Sequence, residues 1–406
     1  MVIVSRLTPG YFTEQVVLAC QEAGWDPAFC TTLCADGPDL AAKLLRISGL
    51  GHLRRLGLVS PACLRTRPFR EILRLLAGRV FADEVLQDRC FYWMRDGFDA
   101  WLAGQMRPPV RMVYAHETEC LDTFHAARQH GVRTVLDLPS PEHDFVEDLL
   151  WDEYAKFPEL LTTARRHFRS LQPERTARRR EEFQLADAVV ANSRFTARTW
   201  SDAGLPADKI RVVPLGAPDP LPGGIEGGSR GQGPLRLVWA GTFSVRKGAH
   251  YLLEAWKKWK PGTRVELEVC GTVRLPKPLL RDLPPEIAFR GPVPRERLLD
   301  EFLRADLLVF PTLCDGFGLV VPEALSRGLP VLTTTEAGAS DFIDDQRNGL
   351  IVPSRNVEAL ASALEWAASN RRLLAAMRQE ALHSVAGRQW TEYRQHLQQV
   401  LKPLMP

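Results

Sequence analysis

The chain has 406 residues, 45% of them apolar and 25% charged, with a formal charge of +3. That length suits two or three domains, the apolar share excludes a disordered chain, and so small a charge excludes nucleic-acid binding by charge alone. No run of about 18 apolar residues predicts a membrane-spanning helix. The opening Met1-Val-Ile-Val-Ser lacks a signal peptide's charged region, and the eight cysteines form no Cys-x-x-Cys pair, so a cytoplasmic chain with reduced core thiols is expected.

In chain order, residues 1–5 predict a strand and 14–22 a helix. Residues 111–115 predict a strand, 121–130 a helix, and 133–138 and 187–191 two more strands. Asn192-Ser193 supplies an N-cap for a helix running to Asp202, and 209–213 form a short strand. Such alternation predicts a parallel sheet with helices on both faces. Residues 214–234 carry five prolines and seven glycines, without a strand or a Gly-Lys-Ser/Thr to make them a phosphate loop, and read as a linker. The alternation restarts with strand 235–240, helix 249–258, strands 265–270 and 287–290, helix 295–303 and strand 307–310. Pro322 and Glu323 open a helix that Gly328 closes, strand 330–332 follows, and helices occupy 357–369 and 371–384. The expected organisation is an α/β chain with domains at 1–213 and 235–389, the linker 214–234 between them, and an amphipathic segment 390–406 crossing back to the first domain.

The richest chemistry lies in LLVFPTLCDGFGLVVPEALSRGLPVLTTT, residues 307–335. This strand–helix–strand unit turns acidic side chains and glycine backbone toward the C-terminal strand ends, where ligands bind in open parallel sheets. A helix N-terminus there favours phosphate, and carboxylates favour sugar or ribose hydroxyls. Together they suit a nucleotide-sugar.

Four consecutive segments carry a resemblance: GTFSVRKGAHYLLEAW (241–256), FRGPVPRERLLDEFLRADLLVFPT (289–312), DGFGLVVPEA (315–324) and AGASDFIDDQRNGLIVP (337–353). In order and content they resemble the retaining glycosyltransferases of family 4, which have the GT-B fold. Weaker pieces are TPGYFTEQVV near the N-terminus and residues 189–216. The resemblance implies two Rossmann-like domains with a cleft between them. The second would bind a nucleotide-sugar, and the first would present the hydroxyl of a glycan, lipid-linked or small-molecule acceptor. Transfer would retain anomeric configuration.

The same resemblance implies roles for single residues. Lys247 neutralises the leaving diphosphate, with Arg246 beside it; Thr242 stands where the family often has an arginine, so either Arg246 takes over that charge or the site is weaker. Glu323 accepts the ribose hydroxyls, and Asp315, shorter than the family's usual glutamate, reaches the donor sugar. Gly316 and Gly318 bracket Phe317 so that the N–H groups of Gly318 and Leu319 approach the donor. Val293 touches the base, Gly10 approaches the phosphates or the acceptor, and His116 binds the sugar or orients the acceptor. Lys247, Asp315 and His116 are the catalytic candidates. Each has a plainer reading: a solvated lysine, an Asp-Gly turn, a dipole-complementing glutamate, a strand-end histidine. The absence of an Asp-x-Asp triplet fits transfer without metal or other cofactor.

A catalytically silent scaffold and a nucleotide-sugar epimerase are alternatives on the same fold. Without GxGxxG after a strand, a dinucleotide oxidoreductase is disfavoured. Two arginine-rich stretches, Arg165, Arg166, Arg169, Arg175 and Arg178 to Arg180, and Arg46, Arg54, Arg55, Arg65, Arg67, Arg70, Arg74 and Arg79, raise peripheral contact with an anionic membrane or an anionic acceptor. No recognition motif for nucleic acid accompanies them.

Overall fold

The computed structural model describes residues 1–37, 43, 56–223, 233–259, 264–281 and 283–405. Most of the glycine-rich stretch of the linker, and Arg46, Arg54 and Arg55, lie outside the described residues.

Two parallel sheets organise the chain. The first has seven strands: β1 (Val2–Ser5), β2 (Pro27–Thr31), β3 (Leu64–Thr66), β4 (Met112–His116), β5 (Arg133–Leu138), β6 (Ala188–Ala191) and β7 (Ile210–Val212), in the order β3-β2-β1-β4-β5-β6-β7. The second has six: β8 (Leu235–Ala240), β9 (Val265–Cys270), β10 (Ile287–Gly291), β11 (Leu307–Phe310), β12 (Val331–Thr334) and β13 (Gly349–Val352), in the order β10-β9-β8-β11-β12-β13. Their central strands are largely apolar runs such as VIVS and LLVF, buried throughout because helices cover both faces.

In each sheet the strand order reverses once, between β1 and β4 and between β8 and β11. The connections leave these neighbours in opposite directions and open a crevice at their C-terminal ends. The first crevice therefore lies beside Arg6 to Gly10 and His116 to Cys120. The second lies beside Gly241 to Gly248 and Pro311 to Gly318.

Between β1 and β4, the sequence reading resolved neither β2 nor β3. Helices Phe69–Val80 and Glu84–Ala103 also occupy that span. The helix expected to open at Pro322 begins two residues earlier, as Val320–Leu325. Proline has no N–H to donate and sits comfortably in its first turn.

Each domain lends a helix to the other. Helix His143–Lys156 follows β5, yet Leu150 and Tyr154 join the apolar core around β8, β9 and β11. The helix Trp390–Leu401, opened by a capping box of Gln389 and Glu392, lies on helix Tyr11–Glu22 of the first domain. Arg394 there bonds Glu22 and Gln15, and Trp390 meets the Tyr11 ring edge-on.

Candidate functional site

At the second crevice, β8 runs into a turn that ends at Lys247 and Gly248, ahead of helix Ala249–Lys258. Gly248 takes a φ of +76°, and a Cβ on it would collide with the Pro311 carbonyl, so only glycine lets this turn pack against the end of β11. That packing brings the Lys247 ammonium onto the Asp315 carboxylate as an ion pair. Burial pushes the Asp315 carboxyl up, but the charges of Lys247 and Arg246 outweigh it and hold the group below the ordinary carboxylate range. Arg246 donates from Nε to the Cys314 carbonyl at 3.1 Å, next to Asp315, while Thr242 is exposed at the start of the turn. Lys247, Arg246 and Asp315 thus form one charged cluster.

Glu323 lies one helical step beyond. Its carboxylate accepts from Arg295 Nε at 2.6 Å, and the Arg295 guanidinium sits 4.5 Å from the Tyr11 ring centroid in the first domain. Gly318 takes a φ of +88° and leads into Leu319, the N-cap of helix Val320–Leu325. The Phe317 side chain is buried against Phe342, which leaves its backbone for any contact with a ligand. Val293 lies apart from the charged cluster, in a groove of about 560 Å³ along β9, β10 and helix Arg295–Arg304.

Across the cleft, Gly10 caps helix Tyr11–Glu22 with extended backbone at φ −165°, and a Cβ there would meet nothing within 4 Å. Neither conformation nor crowding demands glycine at this position. His116 ends β4. Its Nδ1 lies 3.2 Å from the Glu117 carbonyl, which only accepts, so Nδ1 carries the proton and Nε2 is a lone pair. Burial first, and Arg6 second, lower this imidazole to about 3, so its 3.9 Å approach to Glu119 is not an ion pair at neutral pH.

Sequence reading stopped at His116 and missed the loop beyond it. Burial raises Glu117 and Glu119 to about 8, against the pull of Arg179 on the former and of the Leu7 N–H and Arg6 on the latter. Glu182 accepts the N–H groups of Thr118 and Cys120 and thereby holds Thr118 at a φ of +74°, a conformation that costs a non-glycine residue about 1 kcal/mol or more. Two polar atoms in this loop, His116 Nε2 and Glu117 Oε2, are buried without a hydrogen-bond partner. Orphaned buried polar atoms are costly and mark a place where a ligand can bond. Only the run Ala115-His-Glu-Thr-Glu-Cys120 at a strand end hinted at them.

The two crevices face each other. Glu117 and Arg246 feel each other's charge. The hydroxyls of Ser193 and Thr196 both donate to the Gly316 carbonyl, which ties helix Arg194–Asp202 to the acidic loop. A Cβ on Gly316 would strike the Pro139 carbonyl, so glycine permits this approach of the two domains. The arrangement offers cations and a helix N-terminus for a diphosphate, carboxylates for hydroxyls, and a neutral imidazole with a protonated carboxyl opposite.

The first arginine-rich stretch is accounted for differently. Helix Thr163–Ser170 ends just before Pro173, which lies in the first turn of helix Gln172–Leu185. Arg169 pairs with Asp148, Arg175 with Asp88, Arg178 with Asp99 and Arg180 with Asp144, so this charge is largely neutralised within the domain.

Residues 234–370 match the family model described as glycosyl transferases group 1. A D-inositol 3-phosphate glycosyltransferase of Nocardia farcinica is 28% identical over 242 residues, covering 54% of this chain and 53% of that protein. The chain spans about half the length of the curated relatives it matches first. Among solved structures, Anabaena Alr3699/HepE in complex with UDP aligns with a TM-score of 0.62 at 15% identity, covering 99% of each chain. WaaG, a glycosyltransferase involved in lipopolysaccharide biosynthesis, aligns with a TM-score of 0.63 at 16% identity, covering 98% of this chain and 99% of that one. The paired sheets give the chain the GT-B fold, and its second domain matches the glycosyl transferases of group 1.

Proposed function

We propose that the chain transfers a sugar from a nucleoside diphosphate sugar to an acceptor hydroxyl, with retention of anomeric configuration and without a metal ion. The observation that carries this reading is the Lys247, Arg246 and Asp315 cluster at one crevice, facing the orphaned His116 and Glu117 atoms at the other. An arriving diphosphate would draw Lys247 and Arg246 away from Asp315, which then accepts hydroxyls of the donor sugar. Glu323 would exchange Arg295 for the ribose hydroxyls. As the glycosidic bond breaks, charge grows on the leaving phosphate oxygens, where the two cations are already placed. His116 Nε2 would accept the acceptor's O–H and hold its oxygen toward the anomeric carbon. The protonated Glu117 carboxyl would donate to a neighbouring oxygen. The leaving diphosphate would take up the acceptor's proton as the new bond forms. That D-inositol 3-phosphate glycosyltransferases are among the relatives, and that HepE holds UDP, supports this class of donor and a hydroxylated acceptor.

The reading is tested by incubating the full chain with UDP-, GDP- and ADP-sugars in the presence of chelator. Nucleoside diphosphate release is followed, and the product's anomeric configuration is read by NMR. One donor should be consumed with its configuration kept, and Lys247→Ala should lower kcat by about a hundredfold or more. An inverted product or a strict need for a divalent cation would overturn the corresponding part. Consumption of no donor by a folded protein would favour the silent scaffold.

A further inference from the structure

Between residues 65 and 79, five arginines stand against one acidic residue, Glu71, with Asp83 and Glu84 following, in a chain whose overall charge is only +3. Glu71 is itself buried and paired with Arg74. This density is distinct from the arginines around Asp99 and Asp144, which carboxylates neutralise. Helix Phe69–Val80 follows the edge strand β3 in the chain and packs on helix Glu84–Ala103.

Helix Phe69–Val80 presents apolar side chains to solvent at a helical spacing. Phe69 is 68% exposed, Leu73 41%, Leu76 51% and Val80 73%, at steps of four, three and four residues. Those steps place them on one face. Phe81 extends the row, and on the neighbouring helix Trp93 is also exposed, with the Arg70 guanidinium 4.7 Å from its ring centroid. Arg67 and Arg79, which flank the row in the chain, are exposed, as are Arg65 and Arg89. Scattered surface leucines need no explanation, but a continuous apolar row does.

We propose that this face docks the protein onto an anionic lipid bilayer. Phe69, Leu73, Leu76 and Val80 would enter the boundary between headgroups and acyl chains, while the arginines stay at the level of the lipid phosphates. An amphipathic helix with a basic border, few acids and aromatic side chains at the rim lies in a membrane interface in this way. The charge selects the partner: a second protein copy would bring the same positive surface and be repelled, whereas an anionic leaflet attracts each arginine. No helix among the described residues is long and apolar enough to cross a membrane, so the contact is peripheral. The proposal does not depend on the transfer reaction, because the face lies outside both crevices.

The test is co-sedimentation of the full chain with vesicles of phosphatidylcholine alone and of phosphatidylcholine mixed with phosphatidylglycerol. The wild type should pellet with the mixed vesicles, not with the neutral ones, and release as salt is raised. The double variant Leu73→Glu, Leu76→Glu should keep its melting temperature and lose about tenfold or more in vesicle affinity. Arg67→Glu with Arg79→Glu should lose binding while leaving the apolar row intact. Equal binding by wild type and both variants would overturn the proposal, as would no binding to anionic vesicles. A fall in melting temperature in the leucine variant would mean that the chain covers this face itself. A dimer in light scattering that the same variant dissolves would assign it to a second copy.

Discussion

Lys247, Asp315 and Glu323 were readable in the sequence because their spacing relative to strands and glycines is local. Their present partners were not: Lys247 and Asp315 are 68 residues apart, and Glu323 takes an arginine 28 residues away. Both acidic residues are therefore ion-paired, and the proposed donor would compete with these partners. Glu117 escaped notice for a different reason. A glutamate after a strand reads as solvated unless the domain opposite is known to bury it. Its burial has a consequence for stability. Glu117 and Glu119 sit near 8 in the fold against an ordinary 4.5, so between those values the folded chain holds more protons than the unfolded one. Their contribution is fully present below the unfolded value and is lost as pH rises through about 8. His116 and His143, lowered from 6.5 to about 3, act in the opposite sense, but only below 6.5. Asp137 and Glu182, raised by burial to about 7, act in the same sense as the two glutamates up to that value, so Glu117 and Glu119 are isolated between about pH 7 and 8. Melting temperature should fall across that window, and Glu117→Gln should flatten the fall. An unchanged slope in that variant would show that Glu117 is already ionised.

At the scale of elements, unbroken apolar strands such as Leu307–Phe310 and capped helices such as Val357–Ser369 announced themselves, because burial and capping are encoded within a few residues. Strand β2 opens on a proline, and β3 is a three-residue edge strand, too short for a period to emerge. Which sheet a helix covers is also not local. Helix His143–Lys156 is fastened to the second domain through Glu153, a fully buried carboxylate that accepts from His250 at 3.0 Å and from Arg355 at 2.5 Å. Burial alone would raise Glu153; His250, Tyr251 and Arg355 together hold it below its ordinary value. Glu153→Gln removes the charge and keeps the volume. With Arg355 partly exposed, and so partly screened, the expected cost is about 2 kcal/mol in a denaturant titration. A change below about 0.5 kcal/mol would mean that apolar packing by Leu150 and Tyr154 holds the helix unaided.

At the scale of the molecule, the linker and the repeat of strand–helix alternation foretold two domains, but not how they meet. The meeting depends on the Gly316 carbonyl under Ser193 and Thr196, on Arg295 over Tyr11, and on the exchanged helices, all of them contacts between distant residues. They place the cationic turn of one domain against the polar loop of the other, and the proposed transfer rests on this juxtaposition. Calorimetric titration of the full chain with UDP, GDP and ADP, beside Lys247→Ala and Glu323→Ala, tests the central claim most directly. The account predicts that one diphosphate binds the wild type and that each substitution weakens it by about tenfold or more. No heat from any of the three with folded protein, or equal affinity in wild type and both variants, would contradict it.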